Sequence, residues 1–532
     1  MLQKIIVSLM VLLDIRTLSA FALSKFGLVF FPVVLGLAAT LGFAPYGMWP
    51  VTFASLVLIA VYAVKVSSKK QLFLVIFLFF MALNAVTLHW LNFVMQGFGE
   101  MPFIASEAMT LLLCAYLSLP YSLLSVLGLK LFKNHRIVFV SCIVPLAFIC
   151  SDFIVSYLMT GFPWMLLGYT AIEGPFASFA PLAGVRGVSA LLVICACLTG
   201  VAATRRYLFL PPAAVIFLMG IFLTGINYTE ESEQLDFSLV QGNIKQELKW
   251  NNDEVDKIIA TYWTLSKSEF QKNRIVVWPE SALPIFMNNA IPLLSDLNSA
   301  AFSKDSLLVM GIQRYDSERS IFNTMAVFGQ NDSIDSIKFY DKQNLVPFGE
   351  FVPFADLLRP LGKFFNIPMS NFSKPKNPER TPLDIGTHKF TPIICYDSIF
   401  PEHALNRNTE ESEGLLMISN DSWFGPTRGP LQHLAISRMR ALEYQKPVIR
   451  STNSGYTVII NEDGIVEAEI AKDQEGVLRH TVRTFKGLTP YASYGNIPVT
   501  VIMLLLAVSA LICASRGPGS RQREALEHLV RP

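Results

Sequence analysis

Charged residues are scarce in this chain of 532 residues. Asp, Glu, Lys and Arg together make up 16% of the sequence, whereas globular proteins average about 25%. The formal net charge is +2, and no concentrated basic excess is present of the kind that nucleic-acid-binding proteins carry. Disorder is excluded because 52% of the residues are hydrophobic and 12% are aromatic. The composition therefore indicates membrane-embedded sequence joined to a more polar region.

Two common kinds of cofactor signal are also missing. The seven histidines are scattered and show no paired spacing typical of a metal site. No glycine-rich loop of the type that cradles phosphate groups occurs either. We therefore expect neither a metal ion nor an organic cofactor.

Long apolar runs are present in the first two fifths of the chain and again near its end. Each has roughly the 18–25 residues that a helix needs to cross a bilayer. Eight such runs are recognised, at 24–43, 48–65, 71–92, 103–129, 137–158, 180–202, 207–226 and 497–514. The sequence therefore predicts a bundle of eight membrane helices, with a polar region between the seventh and the eighth.

The loops between these runs predict an orientation. Lys and Arg follow the second, fourth, sixth and eighth runs and are missing from the intervening loops at 44–50, 96–102 and 160–175. Because Lys and Arg accumulate on the cytoplasmic side, both termini are expected in the cytoplasm and the polar region outside it. We divide the chain into a membrane domain at 1–228, a polar domain at 229–490, and a last helix with a basic tail at 491–532.

The polar region reads as an α/β domain. Short apolar runs, as strands buried on both faces require, each end in polar residues, at 235–240, 275–278, 307–311, 391–394, 415–419 and 448–450. Open α/β sheets build their sites at the carboxyl ends of such strands. Helices are predicted at 253–270 and 430–444. In the second, apolar residues recur at helical spacing and are read as core packing: Leu431, Leu434, Ala435, Met439 and Leu442.

Cys395 is the one cysteine of the seven that lies in the polar region. It is either a buried bystander or a nucleophile, and its place at a predicted strand end favours the nucleophile. A thiol needs a base or a neighbouring cation to react near neutral pH. Glu280 and Lys342 stand at other strand ends. Each could equally be an ordinary helix-terminal or surface charge, so the spacing alone leaves the choice open.

Four stretches of the polar region resemble the nitrilase superfamily. They are WPESALP at 278–284, YDKQNLVPFGEFVP at 340–353, IICYD at 393–397 and SNDSWFG at 419–425. Together with the apolar runs, and with GFAPYGMWP at 42–50, TGFPW at 160–164 and GLTPYASYG at 487–495, they resemble the membrane-embedded branch of that superfamily, the apolipoprotein N-acyltransferases. The resemblance implies an α-β-β-α sandwich carried outside the cytoplasm by eight membrane helices.

The resemblance also implies roles for individual residues. It makes Glu280 the general base, Lys342 the catalytic lysine, Cys395 the nucleophile and Glu350 a second essential glutamate. It implies that three aromatic residues line the substrate pocket: Trp250, Tyr396 and Trp423. One departure is visible, because Asp397 stands where the family usually has a longer glutamate, and its contact near the nucleophile is in question.

The activity implied is transfer of an acyl chain from a phospholipid to the N-terminal amine of a diacylated apolipoprotein. The acyl group would pass through a thioester on Cys395, without a cofactor, in a bacterial cytoplasmic membrane, and the protein is expected to be a monomer. Two alternatives are a membrane-anchored amidase that gives the acyl group to water, and a transporter or sensor whose α/β domain only binds ligand.

The stretch 346–369 is unusually apolar for a loop and contains Phe348. An exposed apolar patch of this kind usually marks a membrane or partner surface. We interpret it as an arm that enters the outer leaflet and admits acyl chains, with Phe348 among the substrate-binding residues. The alternative is that it packs as ordinary core beneath Glu350.

Overall fold

The computed structural model describes residues 24–66, 68–249, 251–334, 337–353, 371–378 and 380–515. Within these ranges the chain forms a helical region and a two-sheet domain.

Apolar helices occupy all eight segments where membrane spans were predicted. Five are long and apolar enough to cross a membrane, at Lys69–Thr87, Phe103–Leu131, Arg136–Thr160, Pro175–Ala203 and Ile497–Ser515. The other three are shorter, at Gly27–Gly42, Trp49–Lys65 and Tyr207–Leu223. A helical region with several apolar helices is thus confirmed, whereas the count of eight spans stays a prediction.

Among the residues described from 24 onward, eight principal α-helices precede the sheets. They are α1 (Gly27–Ala39), α2 (Trp49–Lys65), α3 (Lys69–Thr87), α4 (Trp90–Gly97), α5 (Phe103–Leu131), α6 (Val144–Tyr157), α7 (Ala180–Ala203) and α8 (Leu210–Leu223). A capping box fixes the start of α3, since the Ser68 hydroxyl accepts from Gln71 N and the Gln71 side chain accepts from Ser68 N. The predicted run 71–92 is not one helix, because α3 ends at Thr87 and α4 begins at Trp90.

The described residues of the polar region form two six-stranded sheets. The strands are β1 (Glu230–Gln241), β2 (Arg274–Val277), β3 (Leu307–Tyr315), β4 (Ile321–Phe328), β5 (Lys338–Asp341), β6 (Leu383–Ile385), β7 (His388–Ile394), β8 (Gly414–Ser419), β9 (Val448–Thr452), β10 (Thr457–Ile460), β11 (Val466–Ile470) and β12 (Gly476–Lys486). The first sheet has the order β12-β1-β2-β3-β4-β5 and the second β11-β10-β9-β8-β7-β6. Strands β1 to β3 are parallel, as are β7 to β9, and the outer strands are antiparallel.

The two sheets pack face to face and helices cover their outer faces. The core between them is formed by apolar side chains of both sheets, among them Leu239, Val277, Val309, Ile394, Leu416 and Ile449. In the part of the chain described after α8, the α-helices are α9 (Val255–Ser266), α10 (Ile291–Phe302), α11 (Pro401–Leu405), α12 (Gly429–Tyr444), α13 (Pro490–Tyr494) and α14 (Ile497–Ser515). Helices α9 and α10 pack on the first sheet and α12 on the second, which confirms the α-β-β-α sandwich.

Helix α12 is buried on two sides. Leu434 packs toward the second sheet, whereas Ile436, Met439 and Leu442 join the apolar cluster of the helical region. The predicted core packing is confirmed for Leu434 and Met439, although Met439 and Leu442 pack in the cluster of the helical region and not against the sheet. Because α12 faces apolar surroundings on both sides, its spacing could not show which residues face the sheet.

Candidate active site

Three of the predicted site residues follow the ends of strands. Glu280 comes three residues after β2, Lys342 directly after β5 and Cys395 directly after β7. Cys395 has a positive φ of 48°, and Ser281, next to Glu280, has one of 47°. Residues other than glycine rarely adopt a positive φ. Such a backbone conformation persists only where the surrounding structure enforces it, which is common at functional sites.

Lys342 lies between two carboxylates. Its Nζ donates to Glu280 Oε1 at 3.1 Å and to Glu350 Oε1 at 2.8 Å. The lysine side chain is 1% exposed, so these charges interact where water screens them little. Burial lowers the pKa of Lys342, but the two carboxylates outweigh it and hold the pKa well above the usual value. The amine therefore stays protonated throughout the neutral range.

Three further groups hold the carboxylates in place. Asn323 Nδ2 donates to Glu280 Oε1 at 2.7 Å and to Glu350 Oε1 at 3.2 Å. The main-chain N–H of Asn420 donates to Glu280 Oε2 at 2.8 Å, and that of Val346 donates to Glu350 Oε2 at 2.8 Å. Both carboxylate groups are thus oriented by donors on each oxygen.

Glu350 differs from an ordinary surface carboxylate. Burial and the negative charge of Glu280 raise its pKa, and Lys342 opposes this change. Two carboxylates that share one ammonium resist carrying full charge together, because like charges at close range disfavour ionisation. Glu350 therefore takes up a proton more readily than an ordinary glutamate does.

Cys395 is partly exposed and is close enough to Glu280 and Lys342 for both charges to act on its sulfur. Burial raises the pKa of the Cys395 thiol, Glu280 raises it further, and Lys342 lowers it. The net change is upward, so the resting group is a thiol. Lys342 favours the thiolate, as expected of a neighbouring cation. Burial and Glu280 together outweigh its effect on the pKa of the thiol. A base must therefore take the proton when the sulfur reacts.

Asp397 does not face the thiol in its described contacts. Its Oδ1 accepts from Asn344 N at 2.8 Å and from Asn344 Nδ2 at 3.0 Å, and its Oδ2 accepts from the Tyr340 hydroxyl at 3.0 Å. Asp397 therefore ties the turn after β7, which carries Cys395, to the segment that carries Lys342. Asp397 was predicted to lie beside the nucleophile. Its carboxylate instead holds the turn after β7 against the segment of Tyr340 and Asn344.

The predicted pocket residues are distributed unevenly. Tyr396 is buried and its hydroxyl donates to the Gly161 carbonyl of the helical region at 3.4 Å. Trp423 is half-buried and packs edge-on against Phe98, with ring centroids 4.7 Å apart. Phe348 is 50% exposed and has a positive φ of 61°.

Two predictions fall wholly or partly outside the described residues. Trp250 lies outside them. Of the predicted arm at 346–369, only 346–353 is described, so the arm's entry into a leaflet stays a prediction. In the described part, Phe348 N donates to Phe351 O at 2.7 Å, which forms a tight turn beside Glu350.

Sequence reasoning missed two polar residues that contact Glu280. Asn323 lies in β4, and the signal for it was available, since it is a buried amide inside the apolar run of that strand. Lys249 is fully buried, and its Nζ donates to the main-chain carbonyl of Glu280 at 3.1 Å. Burial lowers the pKa of Lys249 to about 8.

The arrangement suits nucleophilic acyl chemistry. It supplies a thiol, a carboxylate base and a fixed cation that can stabilise developing negative charge. Across the described part of the chain, no group of three or more His, Cys, Asp or Glu side chains is arranged to hold a metal ion.

Comparison with known proteins gives matches over most of the chain. Residues 35–198 match the model of the apolipoprotein N-acyltransferase N-terminal domain, and residues 237–484 match that of carbon-nitrogen hydrolases. A relative named apolipoprotein N-acyltransferase from Vibrio cholerae is 36% identical over 87% of this chain and 93% of its own length. A relative of the same name from Photobacterium profundum is 32% identical over 93% of this chain and 96% of its own length.

Proposed function

The chain belongs to the apolipoprotein N-acyltransferase family, and we propose that it transfers a fatty acyl chain from a phospholipid to the N-terminal amine of a diacylated apolipoprotein. The protein is thus an N-acyltransferase, which makes it an enzyme and not a transporter or sensor in this proposal. The observation that carries the mechanism is Lys342 held between Glu280 and Glu350 within electrostatic range of a partly exposed thiol.

In the first half-reaction, Cys395 Sγ attacks an ester carbonyl carbon of the phospholipid. Glu280 takes the thiol proton, because the raised pKa of Cys395 keeps the resting sulfur protonated. Lys342 stabilises the negative charge that develops on sulfur and on the carbonyl oxygen. When the C–O bond breaks, Glu280 returns the proton to the leaving alkoxide and a lysophospholipid departs. The fatty chain is then held as a thioester.

In the second half-reaction, the amine of the apolipoprotein replaces the sulfur. Its α-ammonium loses one proton to Glu280, and the free amine attacks the thioester carbonyl. As the C–S bond breaks, the second proton of the nitrogen passes to Sγ and restores the thiol. Glu280 releases its proton to solvent. Because one product leaves before the second substrate reacts, the kinetics are ping-pong.

Glu350 keeps Lys342 in position through the whole cycle. Its Oε1 accepts from Lys342 Nζ and its Oε2 accepts from Val346 N, so it fixes the lysine against the following turn. Tyr396, Trp423, Phe348 and Trp250 form the walls against which the acyl chain lies in this proposal.

The protein is a bacterial inner-membrane protein in this account. The α/β domain lies on the periplasmic side and both termini in the cytoplasm, as the Lys and Arg content of the loops predicts. The membrane domain covers 1–228, the catalytic domain 229–490 and the last helix and tail 491–532. The chain acts as a monomer.

Transfer can be tested with purified protein in vesicles that contain a phospholipid with a labelled acyl chain. A synthetic diacylated lipopeptide serves as the acceptor, and the same peptide with an acetylated N-terminus serves as its matched control. We expect label on the free-amine peptide alone, and none with Cys395→Ala. Label released as free fatty acid at the same rate with either peptide would instead support the amidase, which the comparisons do not favour.

A further inference from the structure

A buried glutamine joins the α/β domain to the helical region. Gln432 lies on α12 and is 4% exposed. Its Oε1 accepts from the indole N–H of Trp90 at 3.2 Å and of Trp164 at 2.8 Å. Its Nε2 donates to the main-chain carbonyl of Thr87 at 3.0 Å. All three partners belong to the helical region, so one side chain spans the boundary.

The polar groups at this boundary require such a partner. Thr87 ends α3, and the last carbonyls of a helix have no partner within the helix. The two indole rings are buried, and each buried N–H without an acceptor costs about 1–3 kcal/mol. An amide supplies two acceptor lone pairs and two donors, so Gln432 satisfies all three groups in this one orientation.

The same boundary lies directly against the turn of the nucleophile. The ring of Trp164 stacks on His433, the residue after Gln432, with centroids 5.6 Å apart. His433 Nε2 lies 2.9 Å from Ser398 Oγ and 3.3 Å from the main-chain oxygen of Cys395. Trp164 therefore contacts both the glutamine and the residue that touches the nucleophile's main chain.

We propose that Gln432 is a positioning residue that fixes the α/β domain on the helical region so that an acyl ester held in the bilayer reaches Cys395. A slide of α12 by one turn, about 5.4 Å, would break all three of its hydrogen bonds at once. Gln432 acts on the register between the two regions and not on the reactivity of the thiol. The inference rests on the proposed function, because it concerns delivery of a membrane-borne donor.

The test compares two reactions of Cys395 Sγ. One is acyl transfer from a phospholipid in a bilayer, and the other is alkylation by a reagent dissolved in water. Gln432→Met keeps the length of the side chain and removes the three hydrogen bonds. For this variant we expect kcat/KM with a phospholipid donor in vesicles to fall about tenfold or more. The rate at which iodoacetamide alkylates Cys395 should stay within about twofold of the wild-type rate.

A matched control is available at the opposite end of the same helix, where Gln445 directly follows α12. Gln445 is a buried glutamine that accepts from Tyr228 N and donates to the Ile226 carbonyl, each at 2.7 Å, in the segment that links the two regions. Gln445→Met should lower thermal stability without separating the two rates. Should Gln432→Met fail to fold, Trp90→Phe is the second variant. It removes one indole donor, keeps an aromatic side chain, and should separate the two rates in the same direction by a smaller factor.

Equal loss of both rates in Gln432→Met, loss of alkylation alone, or no loss in either would overturn the inference. A double variant, Gln432→Met with Trp90→Phe, should be no slower on the bilayer donor than Gln432→Met, and additive losses would also contradict the inference. Failure of the wild-type protein to transfer an acyl chain would overturn the proposed function itself. A wild type that transfers, without separation in the variants, would overturn the role of Gln432 alone.

Discussion

Removing the charge of Glu280 and removing the charge of Lys342 should shift the pKa of the Cys395 thiol in opposite directions. Glu280 raises the pKa of Cys395 and Lys342 lowers it. Glu280→Gln removes a negative charge, so the thiolate should form at lower pH than in the wild type. Lys342→Met removes the positive charge, so the thiolate should form only at higher pH. Both variants should nevertheless lose acyl transfer, since each removes a group that the reaction uses.

The size of each effect follows from the contacts. One charge a few ångström from an ionisable group changes the ionised population at fixed pH by about 10- to 1000-fold. In Glu280→Gln, an amide NH₂ replaces one carboxylate oxygen and faces hydrogen-bond donors. Loss of a hydrogen bond to the charged group should lower the free energy of unfolding by about 1.5–3 kcal/mol. In Lys342→Met, two buried carboxylates lose their cation, and removing one partner of a buried pair costs about 3–5 kcal/mol.

The assay is the rate at which iodoacetamide alkylates Cys395 between pH 6 and pH 10, followed by the mass of the peptide that carries it. Cys395→Ser supplies the background from other thiols. Glu411→Gln and Lys389→Met change an exposed ion pair of the same domain and should leave the pH profile unmoved. Profiles of the two active-site variants that shift in the same direction, or do not shift, would refute the reasoning.

Three further predictions concern residues around the site. Asn323→Leu removes the amide that donates to both active-site carboxylates and should lower kcat by about tenfold or more with KM for the donor unchanged; a normal kcat in steady-state kinetics would contradict this. Asp397→Ala leaves the buried donors of Asn344 and Tyr340 without their acceptor and should lower the Tm measured in detergent, whereas an unchanged Tm would argue against this role of Asp397. Burial lowers the pKa of Lys446 to about 7, so its charge opposes folding most at and below that pH and less as the pH rises toward about 10. Lys446→Met also removes the hydrogen bonds from Nζ to Asn408 Oδ1 and Thr409 O at either pH. Its Tm relative to the wild type should therefore be higher at pH 6 than at pH 9, and equal differences at both values would contradict the sign.

The parallel strands and their carboxyl ends were predictable from the sequence. Strands buried on both faces need continuous apolar runs, and those that became β1, β2, β3, β7, β8 and β9 stood out for this reason. Glu280 and Cys395 could be placed because each follows such a run. The antiparallel strands β4, β5, β6 and β10 to β12 were not identified. Short length hides β5 and β6, and partial exposure weakens the pattern of β11 and β12, whereas β4 and β10 are buried apolar runs that could have been recognised.

The orientation of individual side chains was not predictable in the same way. Asp397 is adjacent to Tyr396 and two residues from Cys395, yet its carboxylate turns toward Asn344, because a tight turn after β7 sends successive side chains in different directions. Gln432 could not be distinguished from a surface residue of α12. A polar residue on an amphipathic helix normally faces water, and here that face meets the helical region instead.

Contacts between the site residues depend on how the strands are ordered in the two sheets. Asn323 lies in a strand that was not recognised in the sequence. Its two acceptors are Glu280, 43 positions earlier in the chain, and Glu350, 27 positions later. Local pattern carries no information on such pairings, because they depend on strand order and register.

The most direct test of the central claim is the mass of the protein purified from phospholipid vesicles before any acceptor is added. The account predicts a fatty acyl adduct on the peptide that contains Cys395, and its disappearance when a diacylated lipopeptide is supplied. Steady acyl transfer with no adduct on Cys395, or transfer that persists in Cys395→Ser, would contradict it.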